Sequence, residues 1–317
     1  MRDLARRRNL WYLISAILLL PGIISLIFNG LELGIDFTGG SVWEIRYTEE
    51  VNTSEIREVL VAEGRTEAQV QQVGDPDENR YQIRLRELAE SSPEKERLTE
   101  ALETLAPLDP EAEALETIGA SVGTSIRNRS LLAVGAASVG VLLYIAWAFR
   151  NTGNPLLYGT AAIVAMLHDA LFVLGVFSIL GVVADVEIDA LFVTALLTVI
   201  GFSVHDTIVV FDRMRENRLM DDDASMEEIV NRSLVQTLVR SLNTSITVIF
   251  TLAALLVFGG ESTRNFVLAL LIGMIAGTYS SIFNAAQLLV SWNNGEIQQL
   301  FRRVARRPDP GAEPVEA

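Results

Sequence analysis

Apolar positions along the chain gather into six long runs, separated by polar stretches of very unequal length. A membrane-crossing helix needs about 17 to 25 mostly apolar residues. By that measure the runs predict spans at 10–28, 130–149, 156–180, 188–211, 241–259 and 266–292. The first, LWYLISAILLLPGIISLIF, follows Arg6, Arg7 and Arg8, as a secretory leader would. Its apolar run is too long for a leader and no small-x-small cleavage site follows, so a retained helix is expected, with Pro21 a candidate kink. The fifth run is short. Its purely apolar part, VIFTLAALLVFGG, has 13 residues, so the helix must extend back through SLNTSIT towards Arg240. Helical spacing then puts Arg240, Thr244, Thr247 and Thr251 on one face. In the sixth run Gly273 and Gly277 form a small-xxx-small pair, with Ser281 and Asn284 on nearly the same face, which predicts a close helix interface.

The segment 29–129, between the first two runs, has a different pattern. GSVWEIRYT alternates as a strand does. NTSEIREVLVAEG opens on the capping candidates Asn52 and Ser54 and closes at Gly64, as a helix would. AQVQQVG and RYQIRLRE flank the turn DPDEN and predict two strands. PEKERLTEALETLA opens on Pro93 as a helix, and EALETIG is a weaker last strand. The order β-α-β-β-α-β predicts a ferredoxin-like unit. The expected fold is therefore a polytopic α-helical membrane protein of six transmembrane helices, with an α+β domain between helices 1 and 2.

Charge refines the picture. Residues 29–129 carry 22 acidic and 10 basic side chains, most of the formal net charge of −15. That balance argues against nucleic acid as a partner. Cysteine is absent and only His168 and His205 are present, so disulfides and the usual metal sites are not expected. With the N-terminus inside, the inner set is Arg2, Arg6, Arg7, Arg8, Arg150, Arg213, Arg215, Arg218, Arg232, Arg240, Arg302, Arg303, Arg306 and Arg307, and the short outer loops hold only Arg264. The positive-inside rule then places segment 1–9, the stretch 212–240 and the tail 293–317 in the cytoplasm and the acidic domain outside. Within 212–240, SMEEIVNRSLVQTLVR reads as an amphipathic helix whose Ser225 and Glu228 form a capping box. The tail after Arg307 has a disordered composition.

Ionisable residues inside the spans carry the candidate chemistry. Asp206 lies about five residues from the inner end of the fourth run, and a carboxylate at membrane depth costs about 2.5–3.5 kcal/mol on insertion scales. Two readings stand: a structural hydrogen bond or ion pair with Arg240, or a proton carrier whose load changes with its distance from that arginine. His168 and Asp169, mid-span in AAIVAMLHDALFVLG, either extend a relay or lock helices together. Asp189 sits at an outer helix start as a cap, and Asp212, Arg213 and Arg215 are interfacial. GIDFTGG, with Gly34, Asp36, Gly39 and Gly40, predicts a tight turn or close backbone approach and lacks the surroundings of a nucleotide loop. No nucleophile–base set, metal cluster or phosphate loop is evident, so an enzyme is not expected.

GIDFTGG after the first span, VHDTIVVFDRMREN closing the fourth and SLNTSIT opening the fifth resemble the SecF family of bacterial protein-export subunits, related to the resistance-nodulation-division transporters. The resemblance covers about residues 5–300. It implies pairing with SecD, association with the SecYEG channel and with YajC and YidC, an unfolded preprotein as cargo, and the bacterial inner membrane as location. It implies the proton gradient as energy source with no cofactor, and a proton pathway through Asp206 and Arg240, to which the His168–Asp169 pair is a further candidate. The competing expectations are a small-molecule efflux subunit of the same superfamily and a non-transporting scaffold of the channel complex.

Overall fold

The computed structural model describes residues 4–150, 152 and 154–299. The expectations for the tail after Arg307, and for Arg2, Arg302, Arg303, Arg306 and Arg307, fall outside these residues. Six helical stretches are long and apolar enough to cross a membrane: Ala5–Phe28, Ala120–Ala148, Pro155–Ala184, Ala190–Met220, Met226–Phe258 and Arg264–Asn293. Helix α1 (Arg8–Phe28) runs on through Pro21. After it come the single turn α2 (Ile35–Thr38), strand β1 (Gly40–Arg46), helix α3 (Thr53–Ala62), strands β2 (Gln69–Gln72) and β3 (Arg80–Leu85), helix α4 (Pro93–Leu102) and strand β4 (Ala114–Ile118). The membrane helices then continue as α5 (Ala120–Ala148), α6 (Pro155–Ala184), α7 (Ala190–Met220) and α8 (Met226–Phe258). The last stretch is α9 (Arg264–Ser280), a π-helical turn at Ser281–Ala285 and α10 (Ala286–Asn293).

The four strands form one antiparallel sheet in the order β2-β3-β1-β4. Alternation fixes its faces: Trp43, Ile45, Tyr81 and Ile83 point to one side and are buried with Ile56 and Leu60 of α3 and Leu98 and Leu102 of α4. That is what the period of two requires of a half-covered sheet. Asn52 and Glu55 close a capping box on α3, and the Ser92 hydroxyl accepts from the Lys95 amide at the start of α4.

The membrane helices form a second core. Val173, Phe177, Phe192, Val199, Phe211, Ala269, Ala285 and Leu289, from α6, α7, α9 and the turn into α10, are fully or almost fully buried. By contrast α1, α5 and α8 expose long apolar rows, among them Leu13, Ile17, Leu131, Leu132, Leu143 and Phe250. Such rows face lipid or another membrane helix. Glycine sets one close crossing: a Cβ on Gly22 of α1 would lie 2.7 Å from the Gly175 Cα of α6, the close approach that small residues permit.

Two expected boundaries are corrected. The stretch 212–240 is not a loop holding a separate amphipathic helix. Helix α7 continues to Met220, only Asp221–Ser225 turn, and α8 runs unbroken from Met226 to Phe258. Hydropathy marks where a helix meets hydrocarbon, and between Ser225 and Phe258 neither glycine nor proline stops the hydrogen-bond ladder at that border. Likewise the last ten residues of the stretch 29–129 are already helical, because α5 begins at Ala120. Its first turns pack on α2, where a Cβ on Gly123 would lie 2.8 Å from the Gly39 amide nitrogen.

Candidate functional site

Asp206 lies on the inward face of α7, with Val199, Ser203 and Val210 at helical spacing, and its side chain is buried. Among the described residues one hydrogen bond reaches it, from Ser245 Oγ of α8 at 3.4 Å. Asp206 also lines a narrow crevice with Phe202, Ser203, Gly273, Met274, Gly277 and Thr278. Glycine lets α9 approach α7 closely beside this crevice. A Cβ on Gly273 would fall 2.1 Å from Val199 Cγ2, and one on Gly277 would fall 3.2 Å from Ser203 Cβ. Both glycines therefore sit in the interface between α9 and α7. Asn284, in the π-helical turn, instead faces α1, where its Oδ1 accepts from Ser15 Oγ at 3.0 Å.

Asp169 of α6 is fully buried and well satisfied. Its Oδ2 accepts from Ser203 Oγ of α7 at 2.5 Å and from Ser280 Oγ of α9 at 2.6 Å. Its Oδ1 lies 2.9 Å from His168 Nδ1. Three helices thus meet on one carboxylate. The other ring nitrogen, His168 Nε2, is buried with no hydrogen-bond partner among the described residues.

Arg240 is not brought to Asp206. It shares a face with Thr244, Thr247 and Thr251, but that face of α8 is exposed, and the face turned to α7 carries Ser241 and Ser245. The five-residue step from Arg240 to Ser245 is a rotation of about 140°. The three threonines satisfy their hydroxyls on carbonyls four residues back, those of Arg240, Asn243 and Thr247. A parallel exposed stripe on α7 holds Thr194, Thr198, Gly201 and His205.

The glycine motif is a junction. Gly39, at φ +73°, brings α2 against α5 so closely that a Cβ would lie 2.5 Å from the Ala120 Cα; one on Gly40, at φ +127°, would lie 2.8 Å from the Leu85 carbonyl oxygen of β3. The Gly34 amide donates to the Ile188 carbonyl at 2.9 Å, and Ile188 returns the bond to Glu32 at 2.9 Å. Asp36 accepts from the Ala190 amide at 2.7 Å and Asp189 from the Phe192 amide at 2.7 Å, so two carboxylates satisfy the first turn of α7. Burial lifts the Asp189 carboxyl above the usual carboxylate range; the Phe192 amide opposes this and the charge of Asp36 adds to it. Arg84 of β3 pairs with Glu187 in the turn between α6 and α7. Burial holds that guanidinium below the usual arginine value, against the pull of Glu32. The sheet, α1, α5 and the start of α7 are joined here.

Sequence reasoning missed the serines. Ser203, Ser245 and Ser280 make the polar contacts of the two aspartates, and Ser25 of α1 meets Ser178 of α6 at 2.8 Å. Their signal is small polar residues at the helical repeat of the aspartates, as in Ser203 and Asp206.

Comparison with known proteins bears on what these features serve. Residues 97–295 match the family model described as protein export membrane protein SecD/SecF, C-terminal, and residues 24–51 match that of the SecD/SecF GG motif. The chain belongs to the SecD/SecF family. Protein translocase subunit SecF of Thermobaculum terrenum is 53% identical over 310 residues, covering 96% of this chain and 98% of its own. The subunit of the same name in Anaerolinea thermophila is 39% identical over 312 residues, covering 96% and 99%. The crystal structure of SecDF, a translocon-associated membrane protein from Thermus thermophilus, superposes with a TM-score of 0.78 at 31% identity, over 92% of this chain and 38% of that one. This SecD/SecF member thus spans about two fifths of the SecDF chain.

Proposed function

We propose that this chain is the SecF subunit of a bacterial protein-export machine and that protonation of Asp206 drives its cycle. The observation that carries the reading is Asp206 itself: a buried carboxylate within a membrane span, held by one long hydrogen bond and facing a crevice between α7 and α9. Intramembrane carboxylates are costly and mark ion pathways. One proton crossing 100 mV releases about 2.3 kcal/mol, comparable to a few net hydrogen bonds. Protonation weakens Asp206 as acceptor for Ser245, which frees α8 to shift against α7. The start of α7 is tied to the glycine motif through Asp36 and to the sheet through Arg84 and Glu187, so a movement of α7 is felt by the α+β unit.

The arginine distribution supports a cytoplasmic side for the turn at Asp221–Ser225 and both termini, with the α+β unit outside. The sheet order and its two helices on one face support a ferredoxin-like domain. That domain contacts the emerging preprotein. The exposed stripes on α7 and α8, with His205 and Arg240 among their residues, form the face that docks a SecD partner, and Arg240 completes the proton path from there. SecYEG, YajC and YidC are the further partners of this reading. The test uses inner-membrane vesicles containing this chain, SecD and the channel. Collapsing the proton gradient with an uncoupler slows the late release of a preprotein; a release rate unaffected by the uncoupler in an assembled complex refutes the reading and favours a scaffold.

A further inference from the structure

The sixth span is not one uniform helix. Its halves α9 and α10 meet at the π-helical turn Ser281–Ala285. Such a turn holds one residue more than an α-turn and reaches from each carbonyl to the fifth amide along, so the ladder is loosened there and helices bend at it. Neither glycine nor proline lies in SIFNA, so no residue type forces the break. The turn stands where helices converge. Ser280, just before it, donates to Asp169 of α6. Asn284, within it, accepts from Ser15 of α1, and the Phe283 ring lies against Trp11 of α1 with centroids 4.2 Å apart.

The two halves are held differently. On the inner side Ala285, Ala286, Gln287, Leu289 and Val290 are fully buried. On the outer side α9 meets α7 through Gly273 and Gly277, beside the crevice at Asp206, and Ile275 is exposed. Leu252 of α8 is buried with Val267 and Met274 of α9, which ties α8 to that outer half. At the turn itself, hydrogen bonds are left unmade. Asn284 Nδ2 and both polar atoms of Gln287 have no partner among the described residues, although both side chains are buried. Buried amides without partners are costly and uncommon. On a regular helix Asn and Gln side chains three residues apart can pair; here the wide turn intervenes. We propose that the π-helical turn is a hinge within the sixth span. The outer half α9 swings against α7 about Ser281–Ala285 and carries α8 with it, while α10 stays in the core. The swing opens and closes the crevice at Asp206. This rests on the reading of Asp206 as a proton carrier and assigns the movement that follows a change in its charge.

One residue separates a π-turn from a regular helix, so deleting one closes the ladder and leaves α9 and α10 in their present packing. Phe283 is the residue to delete, because the other four of the turn are buried. Phe283→Ala is the control: it loses the same ring and keeps the turn. Both variants are followed as full chains in nanodiscs and in vesicles with SecD and the channel. Phe283→Ala is expected to keep the acceleration of preprotein release by the proton gradient. The deletion is expected to assemble, to unfold at a temperature no lower than that of Phe283→Ala, and to lose the acceleration. A deletion chain that still accelerates as Phe283→Ala does overturns the hinge. So does one that unfolds at a lower temperature or fails to assemble, since closing the ladder should cost the fold nothing. Indifference of the unmodified chain to the uncoupler is the separate failure of the Asp206 reading.

Discussion

Replacing Gly39 by alanine adds one methyl group where two costs coincide. The residue has φ +73°, and its Cβ would lie 2.5 Å from the Ala120 Cα and 2.8 Å from the Ala120 nitrogen, both backbone atoms. That positive-φ backbone, with ψ 165° at Gly39, costs a non-glycine residue roughly 1–3 kcal/mol. Overlap with backbone that has nowhere to retreat adds about 1–3 kcal/mol. The control is Gly64, at φ +88° with no atom within 4 Å of its Cβ, where only the first cost applies. Gly39→Ala is therefore expected to destabilise by about 2–6 kcal/mol and Gly64→Ala by about 1–3 kcal/mol. The assay is apparent unfolding temperature in nanodiscs at one fixed heating rate, since membrane proteins commonly unfold irreversibly. A second readout is a disulfide between cysteines introduced at 38 and 121, which the cysteine-free chain reports without background. Gly39→Ala should lower the unfolding temperature clearly further than Gly64→Ala and slow the cross-link. Equal shifts with an unchanged cross-link would refute the close packing of the motif on α5.

Three further outcomes follow from the geometry. Gly273→Ala drives a methyl into Val199, separating α9 from α7 at a cost of about 1–3 kcal/mol; Val199→Ala in the same chain should recover most of that loss, and a double variant no better than the single one sinks the contact. Arg84→Glu leaves Glu187 facing a like charge and should speed proteolysis of the α+β unit several-fold, while the exchange Arg84→Glu with Glu187→Arg restores resistance if the pair is the tie. At the start of α1 Arg8 donates to Glu227 at 2.8 Å and to Glu296, whose carboxyl the Arg8 hydrogen bond holds below the usual glutamate value against the effect of burial. A depressed carboxyl contributes stability above its unfolded value and loses it as pH falls through the folded one. Glu296→Gln should thus destabilise at pH 7 by less than about 1 kcal/mol, because the pair is partly exposed, and the difference from wild type should vanish towards pH 3.

The membrane architecture was legible because six apolar runs leave hydrocarbon no other arrangement. Helix ends were less so. Nothing in the polarity of Met226–Arg240 distinguishes a separate surface helix from the first turns of a membrane span, and only the unbroken ladder of α8 decides it. For the site, the positions of Asp206 and Asp169 were plain as charges in apolar runs, but their partners were not. Periodicity gave Arg240, Thr244, Thr247 and Thr251 a common face without saying that this face turns outward. The choice between Arg240 and Ser245 as neighbour of Asp206 depends on how α8 is rotated against α7, and a single helix does not encode that. The glycine motif was legible as a close backbone approach. What it approaches, Ala120 and Leu85, lies 81 and 45 residues along the chain from Gly39 and Gly40, beyond the reach of local pattern.

The central claim is that a proton on Asp206 does work in export, and one comparison tests it most directly. Vesicles carrying SecD, the channel and this chain as wild type, Asp206→Asn or Asp206→Glu are followed for late preprotein release, with and without a proton gradient. The account predicts that the gradient accelerates wild type, that Asp206→Asn assembles yet loses the acceleration, and that Asp206→Glu, which still titrates, keeps part of it. An Asp206→Asn complex that responds to the gradient as wild type does would contradict it.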